Sequence, residues 1–160
     1  MDSKRRTFLK TSAVAGSGML VATNAAGAQT PGTPAEVRAY RRLGRTGLKI
    51  SDISMGTSRL REGEEHLVHH ALDRGINYFD TAESYTSGAS ETVIGKALKG
   101  KRDDVYLVSK TLTSSSTSAA SMMADLDGSL RRLQTDYVDI YMNHAVNSVD
   151  VVGNPSSWPS

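Results

Sequence analysis

The chain has 160 residues, enough for one domain of ordinary size, and an apolar fraction of 38% that is compatible with a globular core. It contains no cysteine, which excludes disulfides and thiolate metal sites. The net charge is +2, but residues 1–28 hold four basic side chains and one acidic one, so the rest of the chain carries −1. A nucleic-acid-binding surface is therefore not expected.

Residues 1–28 have the pattern of an export signal. A basic start precedes a mildly apolar stretch at 13–22, and the small residues AGA at 26–28 are typical of a signal-peptidase site. The stretch is too short and too rich in Gly and Ser for stable membrane insertion. The motif RRTFLK resembles a twin-arginine signal, with Lys4 where that signal usually has Ser or Thr. We expect an exported, periplasmic protein whose partner is the twin-arginine machinery; the alternative is a disordered basic tail.

A linker, a hairpin and four strands are predicted in the rest of the chain. Residues 29–38, QTPGTPAEVR, are rich in Pro, Gly and Thr, which is typical of a linker. The following YRRLGRTGLKIS is typical of a hairpin that turns at 44–47. Four short apolar stretches after it are predicted strands: ISDISMGT, INYFDTA, DDVYLVSKT and DYVDIYMNHA.

Three predicted helices alternate with these strands. EEHLVHHALDRG has Gly75 as its C-terminal cap, and SETVIGKALKG has Ser90 as a candidate N-cap. SAASMMADLDGSLRRLQ carries apolar residues at helical spacing. The order, a hairpin and then βαβαβαβ, predicts an α/β fold with a parallel sheet, either doubly wound or the start of a (β/α)₈ barrel. Residues 147–160 lose this periodicity and are predicted to form an irregular tail.

Ionisable side chains end three successive predicted strands. They are Asp80, Lys110 and His144, and Tyr85 follows Asp80 by five residues. The carboxyl ends of parallel strands meet at one edge of the sheet, and alternation along each strand places the three groups on the same side. Each residue alone has an ordinary structural explanation, such as a cap or a solvated strand end. Their occurrence together favours a site.

This set of residue types suits acid–base chemistry on a carbonyl. A free tyrosine loses its proton only near pH 10, and an adjacent ammonium stabilises the phenolate. Such a tyrosine could protonate a carbonyl oxygen while a cofactor supplies hydride to the carbon. No GxGxxG or phosphate-binding loop occurs, so a Rossmann dinucleotide site is not expected. No metal site is expected either, because His66 and His70 have ligand spacing but lack a third ligand.

Several motifs in order resemble the aldo/keto reductase family across residues 40–145. They are YRRLGRTGLKISDISMGT, ALDRGINYFDTAESY, SETVIGKAL, VYLVSKT and SLRRLQTDYVDIYMNH. The resemblance implies that residues 39–146 form the N-terminal half of a (β/α)₈ barrel. It also implies an NADPH-dependent oxidoreductase that reduces aldehydes or ketones to alcohols. The implied catalytic residues are Asp80, Tyr85 as the acid–base, Lys110 and His144; the implied cofactor contacts are Gly56, Thr57 and Asp80; and the implied substrate contacts are Asn143 and His144.

Two departures from the family pattern leave alternatives open. Thr86 follows the tyrosine where the family often has glycine. Such barrels have eight strands and about 250 residues, and the family's motifs for the NADPH phosphates lie in the later strands, so we expect a truncated barrel. The alternative to a reductase is a truncated, non-catalytic remnant or interaction module of that family. A third interpretation is a barrel enzyme that uses Lys110 as a Schiff-base nucleophile.

The export signal predicts that the mature protein begins at Gln29. Replacing Arg5 and Arg6 together by lysine is expected to block translocation, because the twin-arginine pair is read by a receptor. N-terminal sequencing of the protein in the periplasmic fraction checks this prediction. Protein with an intact Met1 in that fraction would count against the signal.

Overall fold

The computed structural model of the protein describes residues 36–152. The predicted export signal at 1–28, residues 29–35 of the predicted linker and residues 153–160 of the predicted tail lie outside this range. Within it, no helix combines the length and the apolar character that crossing a membrane requires.

A small antiparallel hairpin precedes the main sheet, as the sequence predicts. Strand β1 (Tyr40–Arg42) pairs with strand β2 (Lys49–Ser51). Two polar side chains fasten the hairpin to the rest of the domain. The Tyr40 hydroxyl donates to the Gly75 carbonyl at 2.8 Å, and the Asn77 side chain accepts from the Ser51 amide at 2.7 Å.

The main sheet has four parallel strands in the order β3-β4-β5-β6. The strands are β3 (Met55–Gly56), β4 (Tyr78–Asp80), β5 (Tyr106–Leu112) and β6 (Ile140–His144). Consecutive strands are neighbours, which is the order at the start of a (β/α)₈ barrel. The predicted α/β fold is confirmed, with a first strand shorter than the sequence suggested.

Helices cover one face of this sheet and complete the core. They are α1 (Glu65–Asp73), α2 (Ala89–Ala97) and α3 (Ala119–Leu133). A short fourth helix, α4 (Val149–Val152), lies in the segment that was predicted to be irregular. The core between sheet and helices is formed by Leu60, Val68, Ala71, Phe79, Val93, Ile94, Ala97, Leu98, Val105, Leu107 and Leu133.

The start of α2 differs from the sequence prediction. The N-cap is Gly88, with φ +86°, and the helix begins at Ala89, so Ser90 lies inside the first turn and is not the cap. Glycine suits position 88 for two reasons. It tolerates the left-handed backbone, and a Cβ there would lie only 2.8 Å from Cδ of Arg132. The Ser90 hydroxyl is therefore available for contacts elsewhere.

Helices α2 and α3 approach each other closely at Gly95. A Cβ added there would lie 2.5 Å from the backbone carbonyl oxygen of Leu133. A partly buried ion pair crosses the same interface, with Arg132 Nε 2.7 Å from an oxygen of Glu91. The other oxygen of Glu91 accepts from the Ser109 hydroxyl at 2.6 Å. Glu91 is fully buried, and both of its oxygens have the partners that a buried carboxylate requires.

We expect Gly95→Ala to lower the free energy of unfolding by about 1–3 kcal/mol, the usual cost of overpacking. The added methyl group would meet a backbone carbonyl, which cannot move aside as a side chain can. Gly128→Ala in α3 is the matched control, since its Cβ would meet the end of a side chain, the Arg132 guanidinium at 3.3 Å, and not backbone, and alanine favours a helix. Urea unfolding followed by circular dichroism measures both variants. Equal stability of the two variants would contradict the close packing at Gly95.

Candidate active site

The Lys110 ammonium is the centre of a cluster at the carboxyl ends of the strands. It donates to Oδ1 of Asp80 at 2.6 Å, to the Thr81 carbonyl at 2.8 Å and to the Tyr85 hydroxyl at 3.3 Å. An ammonium has three protons, and here each proton has an acceptor. Lys110 is only 7% exposed, so these contacts replace its hydration shell. The Lys110 side chain is thus fixed in one position by three contacts.

Aromatic contacts bring the remaining predicted residue to the same cluster. The Tyr85 and His144 ring centroids are 5.4 Å apart, with the rings nearly perpendicular at 77°. The Lys110 Nζ lies 4.8 Å from the Tyr85 ring centroid. Ser84 Oγ lies 3.3 Å from His144 Nδ1, which leaves Nε2 as the nitrogen able to meet a substrate. The structure therefore brings together all four predicted catalytic residues.

A second tyrosine near this cluster, Tyr78, has a raised pKa. Burial raises the pKa of Tyr78, the negative charge of Asp80 raises it further, and Lys110 opposes the shift. Tyr78 therefore stays neutral over the usual pH range. Of these two phenols, Tyr85 is the one whose hydroxyl accepts a hydrogen bond from the Lys110 ammonium.

A chain of buried hydroxyl groups supports the backbone behind Asp80. Thr57 Oγ1 donates to the Asp80 carbonyl at 2.8 Å and lies 2.8 Å from Ser90 Oγ, which lies 2.9 Å from Thr81 Oγ1. The Thr57 hydroxyl proton goes to the Asp80 carbonyl, so the Ser90 hydroxyl is the donor toward Thr57, where both Oγ1 and the carbonyl oxygen at 3.0 Å are acceptors. Because Ser90 has only this one hydroxyl proton, it accepts from the Thr81 hydroxyl. All three hydroxyl residues are at most 2% exposed. Ser90 and Thr81 were missed by sequence reasoning, since a buried hydroxyl in a first helical turn looks like a cap.

The predicted cofactor and substrate contacts lie at the same edge of the sheet. Gly56 pairs with Asp80 in register, and a Cβ added to it would meet nothing within 4 Å. The Thr57 hydroxyl is already engaged by Asp80, so a contact with a cofactor would involve other atoms of that residue. Asn143 pairs with Thr111, and alternation along β6 places it on the side of the sheet opposite His144. The ligand roles of these residues stay predictions.

Thr86, at the position where the resemblance leads one to expect glycine, has a left-handed backbone with φ +49°. This conformation is unfavourable for a β-branched residue. Its hydroxyl compensates by donating to the Leu60 carbonyl at 2.7 Å and accepting from the Ser90 amide at 3.0 Å. The departure from the family pattern therefore keeps a glycine-like turn directly after Tyr85.

Other features of the described part of the chain do not add to this cluster. In residues 36–152, no group of three or more His, Cys, Asp or Glu side chains is arranged to hold a metal ion. A groove of about 830 Å³ includes none of the four clustered residues and lies between α3 and the segment before β5. Its lining is mostly charged, with Arg102, Asp103, Asp127, Arg131 and Asp136. The chemistry of the strand ends, and not the presence of a groove, defines the candidate site.

Comparison with known proteins agrees with the fold. The Aldo/keto reductase family sequence model matches residues 52–151. The chain is 35% identical over 123 residues to Aldo-keto reductase YhdN of Bacillus subtilis, a match that covers 66% of this chain and 37% of that protein. The chain belongs to the aldo/keto reductase family. It spans well under half of the length of this relative.

Solved structures of the family superpose on the domain. A putative aldo-keto reductase from Pseudomonas aeruginosa matches with a TM-score of 0.65 at 31% identity, over 77% of this chain and 54% of that one. An aldo-keto reductase from Klebsiella pneumoniae, solved in complex with NADPH, matches with a TM-score of 0.56 at 34% identity, over 64% and 38% of the two chains. The four-stranded sheet thus corresponds to part of an aldo/keto reductase barrel.

We expect Ser90→Ala to lower the free energy of unfolding by about 1–3 kcal/mol, the cost of leaving buried polar groups without a partner. The substitution removes the middle of the hydroxyl chain, so Thr57 and Thr81 each lose a contact. Ser121→Ala, at an exposed position of α3, is the control and is expected to change stability by less than about 0.5 kcal/mol. Urea unfolding compares the two variants, and a Ser90→Ala protein as stable as the control would show that the hydroxyl chain contributes nothing.

Proposed function

We propose that the protein acts as an NADPH-dependent oxidoreductase that reduces aldehydes or ketones to alcohols, with Tyr85 as the acid–base group. One observation carries the proposal: the buried Lys110 ammonium donates to both Asp80 and the Tyr85 hydroxyl. Membership of the aldo/keto reductase family supports the same reaction class. The cofactor assignment is supported by the Klebsiella relative, which was solved with NADPH.

Each clustered residue has a defined task in this reaction. Tyr85 gives its proton to the carbonyl oxygen, and Lys110 stabilises the phenolate that this leaves. Asp80 keeps Lys110 charged and in place through their 2.6 Å contact. His144 lies against the Tyr85 ring, so its Nε2 and the phenol can converge on one carbonyl oxygen. Bound NADPH supplies hydride to the carbonyl carbon.

Gly56, Thr57 and Asp80 would hold the nicotinamide end of the cofactor. They lie side by side at the edge of the sheet, and no side chain fills the space next to Gly56. The resemblance to the family places contacts with the phosphates and adenosine in later strands of the barrel. Since the chain spans 37% of the Bacillus subtilis relative, we propose the activity for a complete barrel that contains this half.

A non-catalytic interaction module is the second candidate. It is favoured by the apolar side chains exposed on β5 and β6 beside the cluster, where Leu112 is 56% and Met142 44% exposed. Such a surface suits contact with another protein. Saturable NADPH binding separates the two candidates, because the cofactor is required for reduction and has no task in a module.

We also propose that the protein is exported by the twin-arginine route. The supporting observations are the RRTFLK motif, the mildly apolar stretch after it and the AGA sequence at 26–28. An exported reductase would have to carry its NADPH with it from the cytoplasm, and the twin-arginine route transports proteins that are already folded.

We expect Tyr85→Phe to lower kcat by at least about 100-fold, the usual scale for loss of a general acid. NADPH affinity should change by less than about twofold, because the phenol acts mainly in the transition state. Two wild-type proteins serve as hosts: the 160-residue chain, and a chimera in which residues 1–145 are followed by the C-terminal half of the Bacillus subtilis relative.

Tyr106→Phe, on the same strand as Lys110, is the matched control and should keep near-normal turnover. NADPH-dependent reduction of a panel of aldehydes and ketones is the assay. Near-normal turnover in Tyr85→Phe would remove Tyr85 from the acid–base role. Failure of both wild-type hosts to bind NADPH would support the non-catalytic module instead.

A further inference from the structure

Glu83 fastens the loop that carries Tyr85 to the end of β5. Its amide donates to the Lys110 carbonyl at 3.2 Å. Its carboxylate oxygen Oε1 accepts from the Thr111 hydroxyl at 2.8 Å and from the Leu112 amide at 3.1 Å. One residue of the loop thus contacts three consecutive residues of the strand that supplies the catalytic lysine. No other task is assigned to Glu83 by the mechanism.

The two residues after Glu83 make the contacts that orient the site. Ser84 Oγ lies 3.3 Å from His144 Nδ1, and the Tyr85 hydroxyl accepts from Lys110. The Tyr85 amide also donates to the Ala82 carbonyl, which closes a tight turn around Glu83. Because Ser84 and Tyr85 directly follow Glu83 in this turn, we expect release of Glu83 from β5 to shift both the phenol and the partner of the imidazole.

A second carboxylate competes for the same hydroxyl proton. Oδ2 of Asp125, in α3, also lies 2.8 Å from Thr111 Oγ1. A hydroxyl has one proton and can donate it to one carboxylate at a time. When Thr111 donates to Asp125, Glu83 Oε1 keeps the Leu112 amide but faces the lone pairs of the Thr111 oxygen. Asp125 therefore weakens the contact that Glu83 makes with β5.

The neighbouring Tyr141 reports the negative charge of this region. Burial raises the pKa of Tyr141 to about 12, the Thr111 hydroxyl opposes the shift, and the charges of Glu83, Asp125 and Glu91 add to it. Tyr141 Oη is buried and makes no hydrogen bond of good geometry, even to the nearby Thr111 hydroxyl. The Thr111 hydroxyl, 2.8 Å from both Glu83 and Asp125, has one proton for these two carboxylates.

We propose that Glu83 is a positioning residue for Tyr85 and His144. We also propose that Asp125 weakens the contact between Glu83 and β5 by competing for the Thr111 proton. The consequence for catalysis rests on the proposed function. The contact between Glu83 and β5 is independent of the proposed function, and it can be measured without an activity assay.

The structural test is amide hydrogen exchange by NMR on the full 160-residue chain. Glu83→Ala is expected to speed exchange of the Leu112 amide by about tenfold, since that amide loses its acceptor. Glu83→Gln keeps an acceptor oxygen and should stay near the wild-type rate. Glu62→Ala, an exposed glutamate in the loop before α1, is the matched control and should leave Leu112 unchanged.

Asp125→Asn, which keeps a side chain of the same size, is expected to change the rate of Leu112 amide exchange in the opposite direction. An amide can donate to the Thr111 oxygen, which frees the hydroxyl proton for Glu83, so Leu112 exchange should slow by about threefold or more. The ¹⁵N shifts of the His144 ring, assigned with His144→Gln, should change in Glu83→Ala and not in Glu62→Ala. Unchanged Leu112 exchange in both Glu83→Ala and Asp125→Asn would overturn the proposal.

The kinetic test uses the chimera and separates positioning from a merely structural role. Glu83→Ala is expected to lower kcat by about 10–100-fold with KM changed by less than about threefold, and Glu83→Gln should recover most of the loss. In the Tyr85→Phe background, Glu83→Ala should cost clearly less than in the wild-type background, because the part of the loss that acts through the phenol is already gone and only the part that acts through His144 is left. If Leu112 exchange responds while every protein is inactive, the contact stands and the proposed function fails. An equal loss from Glu83→Ala in both backgrounds would overturn the positioning role.

Discussion

A lysine cation held almost entirely out of water is the constraint around which this end of the domain is organised. Removing an ammonium from water costs several kcal/mol unless its protons find new acceptors. Lys110 finds them in a carboxylate, a backbone carbonyl and a phenol. Strand β4 has to end where Asp80 reaches the cation, and the chain has to turn so that the Thr81 carbonyl and Tyr85 point back toward it.

The two faces of the sheet differ: one packs into the hydrophobic core, and the other carries the polar cluster. Side chains alternate between the two faces, so Phe79 and Leu107 enter the helix-covered core while their neighbours face the other side. The fully buried Glu91 reinforces the core face through contacts with Ser109 and Arg132. Because this face is close-packed, the strand ends have little freedom to move, and the opposite face can carry polar groups at fixed spacing.

The connection between β4 and α2 contains little glycine but makes many hydrogen bonds. Thr86 and Ser87 both have positive φ, and the cost of this backbone is offset locally by the Thr86 hydroxyl. Together with the contacts of Glu83 with β5, these bonds hold the loop that carries Tyr85 against the rest of the domain. Preorganisation of this kind suits a proton donor, which has to be in place before the charge develops.

Much of the fold and the heart of the site follow from the linear pattern. Apolar periodicity identified the hairpin and the order of strands and helices, because each depends on residues close together in sequence. The alternation of strands and helices in turn implied a parallel sheet. The same alternation placed Asp80, Lys110 and His144 on one side at one edge. Motifs in the right order pointed to the family. The twin-arginine signal at 1–28 and the ligand contacts of Gly56 and Asn143 stay predictions.

What the periodicity could not supply was the identity of partners distant in sequence. Ser90 was predicted to cap a helix, yet it bonds to Thr57, 33 residues away. The sequence pattern did not single out Glu83, because the Thr111 hydroxyl and the Leu112 amide that it contacts lie 28 and 29 residues further along the chain. A repeating pattern states which face a side chain occupies. Which polar group it meets there depends on strand register and on how closely α2 and α3 pack, and those were decided only when the tertiary structure brought the segments together.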